Sequence, residues 1–304
     1  MLKRILRENC TINNNFHEEN QYINLVKDIL ENNELFCGRN GNTYSIFGTI
    51  MHFSLENNKI PFLTTKKLAW KTCLKELLFF IRGQTNNTIL NKQGVHIWDG
   101  NSDKEYLKTR GLNYCDGELG PIYGFQWRHF NADYKDCNSD YSGCGIDQLQ
   151  EIIDALKDPK QRKSRRLIMT AWNPCQLDKM ALPPCHILCQ FNVTGEDKLS
   201  CHLYQRSGDV GLGVPFNIAS YSMLTYIIAK HCDLVPYEFI YSLGNAHIYD
   251  DHIDGLNELV NREPYEFPDF NVLNKYENIN NYNIDDFELK NYNHYNTINL
   301  NMRK

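Results

Sequence analysis

Two adjacent prolines followed at once by a thiol, at the head of an apolar run, restrict this chain more than any other feature: Leu182-Pro183-Pro184-Cys185-His186-Ile187-Leu188-Cys189-Gln190-Phe191. Each proline fixes its own φ and biases the residue before it towards extended backbone, so Cys185 enters its site with little conformational freedom. The apolar run after it reads as a strand. Two explanations fit such a thiol: a nucleophile set in place by its backbone, or a buried structural cysteine at a strand start, the commoner fate of free cysteines.

A second stretch bears on the choice. Leu203-Tyr204-Gln205-Arg206-Ser207-Gly208-Asp209-Val210-Gly211-Leu212-Gly213-Val214-Pro215-Phe216-Asn217 gathers a guanidinium, a hydroxyl, a carboxylate, an amide and several glycines in one segment. Arg206 and Ser207 can hold an anion, the glycines let a flat ring approach closely, and Asn217 or Asp209 can read a ring edge.

The 304 residues, 42% of them hydrophobic, suffice for a substantial core in one large domain or two small ones. A net charge of -5 argues against a protein whose main work is gripping nucleic acid. The 11 cysteines are scattered, without a CxxC pair or signal peptide, so reduced thiols in the cytoplasm are expected and the nucleus stands as a further address. Cys185, His186 and Cys189 lack a second ligand pair at usable spacing, so no metal is expected. No apolar run approaches the ~20 residues needed to cross a bilayer.

In chain order, residues 1–17 read as an N-terminal extension ahead of one domain over 18–304. Glu18 to Glu34 carries one apolar stripe and predicts a surface helix; Thr43 to Leu55 predicts a long strand. Thr64-Thr65 is placed to cap the following helix, whose Cys73, Leu74, Leu77, Leu78, Phe79, Phe80 and Ile81 leave nearly every face apolar. Glu76 interrupts it. A carboxylate there is expensive to bury unless it is paired or poised to take a proton, and burial would raise its pKa towards acid/base use, unless it tilts to a wet edge. The segments 96–101 and 120–128 are glycine-bounded and aromatic, suited to packing or to stacking a planar ligand. A helix is expected around Leu149–Leu156, strands over Leu167–Trp172 and Lys198–Gln205, a mostly apolar helix over Ile218–Cys232 beginning just past Asn217, a strand over Glu238–Tyr249, and a last helix from Ile253. The cluster Lys160, Arg162, Lys163, Arg165, Arg166 reads first as a solvated basic loop. From Asn278 onward, the Asn- and Tyr-rich composition predicts an exposed or partly disordered end. Strands and helices mix without regular βαβ alternation, favouring an α+β fold.

With the cysteine strand and the Arg206–Asn217 segment together, the chain resembles the folate-dependent thymidylate synthase family, in its eukaryotic and DNA-virus form, from about Glu18 to Ile298. The resemblance implies a single domain with a large mixed sheet flanked by helices, one sheet face packed against a second copy in a homodimer. It implies dUMP and 5,10-methylenetetrahydrofolate as substrate and co-substrate, with dTMP and dihydrofolate as products. The family's dUMP contacts fall here on Arg39, Gln205, Arg206, Ser207, Asp209, Asn217, His247 and Tyr249, with Arg165 and Arg166 reaching the neighbouring subunit's phosphate. Its folate contacts fall on Ile97, Trp98, Asn101, Asp209, Leu212, Gly213 and Phe216. The family chemistry adds the Cys185 thiolate to C6 of uracil, with Arg206 favouring the thiolate, Asn217 holding the ring, Glu76 and Tyr123 serving the C5 proton, and His186 organising hydrogen bonds.

One departure stands out. Where the family's tail carries a proline-rich turn and small apolar last residues, this chain ends Asn291-Tyr292-Asn293-His294-Tyr295-Asn296-Thr297-Ile298-Asn299-Leu300-Asn301-Met302-Arg303-Lys304. Two competing functions keep the fold: a nucleotide hydroxymethylase, in which water captures the exocyclic methylene, and an inactive RNA-binding regulator. Asn217 argues against a cytosine-specific hydroxymethylase, and the acidic balance against the RNA binder.

Overall fold

A computed structural model describes residues 17–31, 34–38 and 40–303. Apart from His17, the expected N-terminal extension lies outside these residues, as does Arg39.

Six strands form one mixed sheet: β1 (Leu35–Gly38), β2 (Gly41–Ser54), β3 (Ile168–Thr170), β4 (His186–Thr194), β5 (Lys198–Asp209) and β6 (Val235–Tyr249), in the order β1-β2-β6-β5-β4-β3. Neighbours are antiparallel except β5 and β6, which run parallel. A parallel pair needs a long crossover. Here it is a 19-residue helix, Gly213–His231, which packs against both strands it joins. A second small sheet pairs β7 (Asp269–Val272) with β8 (Phe287–Lys290).

Helices of seven residues or more are α1 (Asn20–Glu31), α2 (Trp70–Ile81), α3 (Tyr123–His129), α4 (Gln148–Lys157), α5 (Gly213–His231) and α6 (Ile253–Leu259). Because α2 and α5 are apolar on most sides, neither can lie on a surface; they pack on each other behind the sheet. The sheet offers them one continuous buried row. Met51, Tyr241, Leu203, Cys189 and Met169 stand side by side across β2, β6, β5, β4 and β3, all almost fully buried. The next row, Phe53, Phe239, Cys201 and Phe191, is buried as well. The opposite face has no such cover: Ile168 is 46% exposed and Ile50 40%.

The expected mixed α+β architecture is present, with two corrections. Thr64 and Thr65 do not cap α2, whose N-cap is Ala69 without a side-chain bond. Their hydroxyls and backbone N–H groups all donate instead to the fully buried Glu19 carboxylate, which needs several donors to be tolerated there. Helix α5 begins at Gly213 rather than past Asn217, because Pro215 fits the first helical turn, where no backbone N–H is needed. The segment after Asn278 is largely exposed, as its composition suggests, but anchored by Ile279, Tyr282, Phe287 and Ile298, which are buried, and by Tyr292, which donates to the Leu63 carbonyl at 2.7 Å.

Candidate active site

Cys185 sits immediately before β4, and the two-proline turn is pinned from β5. Arg206 donates from Nε to the Pro184 carbonyl at 2.8 Å and from Nη2 to the Pro183 carbonyl at 3.1 Å, while its backbone N–H bonds the Cys185 carbonyl at 2.9 Å. These carbonyls lie outside any helix or strand ladder, and the guanidinium supplies their partner. The same Nη2 lies 3.7 Å from the Cys185 sulfur, and the Arg206 guanidinium stands 5.6 Å from the Trp172 ring centre. On the other side, the Cys185 N–H donates to the Tyr123 hydroxyl at 2.9 Å.

The thiol nonetheless titrates above its ordinary value. Burial raises it, and the opposing pull of Arg206 and Tyr123 does not compensate. Arg206 acts in the expected direction, but desolvation is the larger effect. Cys185 therefore rests as a protonated thiol at neutral pH.

His186, next in sequence, is buried. Its ring stacks on Tyr123 at 4.0 Å and 17°, and its Nδ1 lies 2.7 Å from the Tyr221 hydroxyl. Burial pushes its pKa down to about 3, so the imidazole is neutral in the working range and serves geometry rather than proton transfer.

Glu76 comes from α2. Its carboxylate accepts from the Trp98 indole N–H at 2.8 Å, and burial raises its pKa to about 7, against the lowering effect of that bond. The side chain keeps an accessible edge although its carboxyl end is enclosed by protein. An aromatic wall surrounds it: Phe80 lies 5.1 Å from Tyr123 and 6.3 Å from Trp98, and Trp98 lies 5.9 Å from Tyr123. The Cys73 sulfur bonds the Phe216 carbonyl at 3.2 Å and Ser220 Oγ at 3.0 Å, which joins the helix bearing Glu76 to the start of α5.

Asp209 ends β5, and its Oδ1 accepts from the Gly211 and Leu212 N–H groups at 2.8 and 3.3 Å. A Cβ on Gly213 would stand 3.9 Å from both Asp209 Cβ and Asn217 Oδ1, so the glycine keeps open the space between them. Leu212, Phe216 and Asn217 are partly exposed beside it. Asp209 and Asn217 thus stand on either side of Gly213, with the partly exposed Leu212 and Phe216 next to them. His247 Nδ1 lies 3.0 Å from Asn245 Oδ1, with Tyr249 edge-on to its ring at 5.4 Å.

Other expected residues sit differently. The Gln205 amide is buried with both ends committed, accepting from the Tyr241 hydroxyl at 2.8 Å and donating to the Ser207 carbonyl at 2.9 Å, so it serves the sheet rather than an open site. Ser207 is partly exposed beside Arg206 on β5. Ile97 and Asn101 are partly buried on the segment carrying Trp98. Arg165 and Arg166 are exposed ahead of β3, at the edge of the sheet, and are not gathered with Cys185 within the chain. Among the described residues, no group of three or more His, Cys, Asp and Glu is placed to hold a metal ion.

Sequence reasoning missed Lys66 and His252. Lys66 is buried, donates to the Gly211 carbonyl, and is lowered to about 8 by burial, against the raising effect of Asp209. His252 is fully buried with its Nδ1 3.6 Å from Asp209 Oδ1. Neither lies in a motif; only the folded proximity to Asp209 marks them.

A thiol under a guanidinium and a buried carboxyl poised near neutrality form a candidate catalytic site of the kind that supports nucleophilic attack by a cysteine. The sequence model of the thymidylate synthase family matches residues 20–304, and the chain belongs to that family. It is 50% identical to the human thymidylate synthase, over 94% of this chain and 91% of the relative. It is 49% identical to thymidylate synthase 1/2 of Encephalitozoon cuniculi, over 94% and 97%. Against the bifunctional dihydrofolate reductase-thymidylate synthase of Zea mays, also 49% identical, it spans 54% of the longer protein.

Proposed function

We infer that this chain methylates dUMP to dTMP, with 5,10-methylenetetrahydrofolate supplying both the one-carbon unit and the hydride and leaving as dihydrofolate. Family membership carries the reaction. The observation that carries the roles is the Cys185 sulfur held 3.7 Å from Arg206, with the buried Glu76 carboxyl across an aromatic wall.

C5 of uracil is a poor nucleophile. In the mechanism we propose, the Cys185 sulfur bonds C6 as its thiol proton is lost, and electron density moves to C5 and O4. Asn217 offers its N–H to O4 and its carbonyl to N3–H, which favours the charged form over the starting ring. Arg206 and Ser207 hold the phosphate, and His247 and Tyr249 the sugar. The bound co-substrate provides the methylene and then the hydride; Asp209, Leu212, Gly213, Phe216 and Trp98 orient it and exclude water. The C5 proton leaves through Glu76, whose pKa near 7 lets it both take and release a proton at neutral pH. Departure of Cys185 from C6 restores the ring.

We also propose a homodimer built on the uncovered sheet face. Ile50, Ser242, Tyr204, Leu188 and Thr170 form one row there, and Ile50 and Tyr204 are 40% and 37% exposed. A sheet with both faces offering apolar side chains is completed by a second copy. Arg165 and Arg166, exposed just ahead of the edge strand β3, are then presented to the partner's nucleotide phosphate. Mixing inactive Cys185→Ser and Arg166→Ala proteins tests this. Random exchange leaves about one quarter of sites with both residues intact, so recovery of about that fraction of activity is expected, and no recovery despite demonstrated subunit exchange would contradict the shared site.

A further inference from the structure

The chain's last described residues are tied to a single turn, Asp250-Asp251-His252, that follows directly on Tyr249. The Asn301 carbonyl accepts from His252 Nε2 at 2.8 Å, and Asn301 Nδ2 donates to Asp251 Oδ2 at 3.1 Å. Arg303 Nη2 pairs with Asp251 Oδ1 at 2.9 Å and Asp250 Oδ1 at 3.4 Å. Its guanidinium stands 5.8 Å from the centre of the Tyr249 ring. A Cβ on Gly41, in the turn between β1 and β2, would come within 3.8 Å of the same guanidinium.

Apolar residues seat the C-terminal segment just before these contacts. A Cβ on Gly255 would stand 2.7 Å from Ile298 Cγ2, and a Cβ on Gly211 would stand 3.0 Å from Leu300 Cδ1. The segment therefore lies against the Asp209–Gly211 loop. Because a carbonyl only accepts, His252 Nε2 carries the proton, and its buried Nδ1 faces the Asp209 carboxylate at 3.6 Å. The tail, the sugar-side tyrosine and the loop assigned to folate thus meet at one turn.

We propose that Arg303 is a positioning residue for the folate-dependent step: by pairing with Asp250 and Asp251 beside Tyr249, it latches the C-terminal segment over the Asp209–Gly211 loop, so that closure of the site is held by charge. An apolar ending would bury itself and be insensitive to salt, whereas exposed ion pairs are screened within a Debye length of about 8–10 Å at physiological salt. The two aspartates and the arginine belong together in this respect, since neither carboxylate would favour an apolar chain end against it.

The consequence for the reaction rests on the synthase reading above; the latch itself does not. Amide hydrogen exchange across residues 296–302 reads the latch without substrates. Protection in the unaltered protein should fall when salt rises from about 20 mM to about 500 mM, as screening predicts, and Arg303→Ala should show low protection at both. In steady-state assays, Arg303→Ala should raise KM for methylenetetrahydrofolate about 3- to 5-fold, the range of one well-placed exposed ion pair, with KM for dUMP changed less than about twofold on the same scale. Arg303→Asp should be worse, and combining it with Asp251→Arg should restore both protection and KM, a rescue that a simple structural defect would not give. Exchange indifferent to salt and to Arg303→Ala, or a charge swap that restores neither readout, would overturn the proposal. Failure of the unaltered protein to form dTMP would refute the synthase reading and leave exchange to decide the latch.

Discussion

Replacing Glu76 with glutamine separates what the buried carboxyl does for the reaction from what it costs the fold. Glutamine keeps the acceptor for the Trp98 indole N–H, now at 2.8 Å, and removes only the titration. Burial moves the carboxyl from 4.5 to about 7. Between those values the folded chain binds a proton that the unfolded chain releases, so stability falls as pH rises across this window. At about 1.4 kcal/mol per pH unit, the ionised form carries a burden of roughly 3 kcal/mol above pH 7 that is absent below pH 4.5. The accessible edge of the side chain makes that an upper figure. Glu76→Gln should therefore match the unaltered protein near pH 5 and exceed it near pH 8 by about 1–3 kcal/mol, or on the order of 5 °C in Tm for a chain of this size. The same variant should lose about 10²- to 10⁴-fold in kcat as a missing acid/base group. Denaturant melts at the two pH values, with kcat alongside, check both halves. An unchanged stability difference between pH 5 and pH 8 would refute the claim that Glu76 is desolvated, and near-normal kcat would refute its proton role.

His186→Gln should leave the kcat–pH limb near 7 in place, because burial holds His186 neutral far below it, while Glu76→Gln should remove that limb; pH profiles of both variants distinguish them. Arg206→Lys keeps a cation but loses the paired hold on the Pro183 and Pro184 carbonyls, so it should raise KM for dUMP and shift thiol alkylation of Cys185 to higher pH, read by rates of iodoacetamide labelling. Glu19→Ala should strand the four donors of Thr64 and Thr65 inside the protein and cost about 3 kcal/mol or more in urea denaturation.

Patterns that report burial and chain direction were readable from the sequence. Helix α2 is legible because its apolar residues cover almost every side, with Glu76 the exception. The two prolines before Cys185 marked a fixed entry into β4 without revealing that Arg206 ties down their carbonyls, since the partner lies 21 residues further along the chain in the case of Cys185. The parallel pairing of β5 with β6 has no local signature; it follows from where α5 packs. Composition reads the exposure of the chain's end but not its anchors, because Ile279, Tyr282, Phe287 and Ile298 are buried at irregular intervals and so show no periodicity amid the polar residues. The direction of the Cys185 pKa depends on burial against a single guanidinium, a balance that residue types alone do not weigh. Lys66 and His252 carry no local mark at all, because their significance comes from being buried within reach of Asp209.

The most direct test of the account is a paired assay of the unaltered protein and Cys185→Ser with dUMP and methylenetetrahydrofolate, following dihydrofolate by absorbance and identifying the nucleotide by mass. Equal amounts of dTMP and dihydrofolate from the unaltered protein, and none from a folded Cys185→Ser, are the predicted result. Hydroxymethyl-dUMP without dihydrofolate, or dTMP formed by Cys185→Ser, would contradict it.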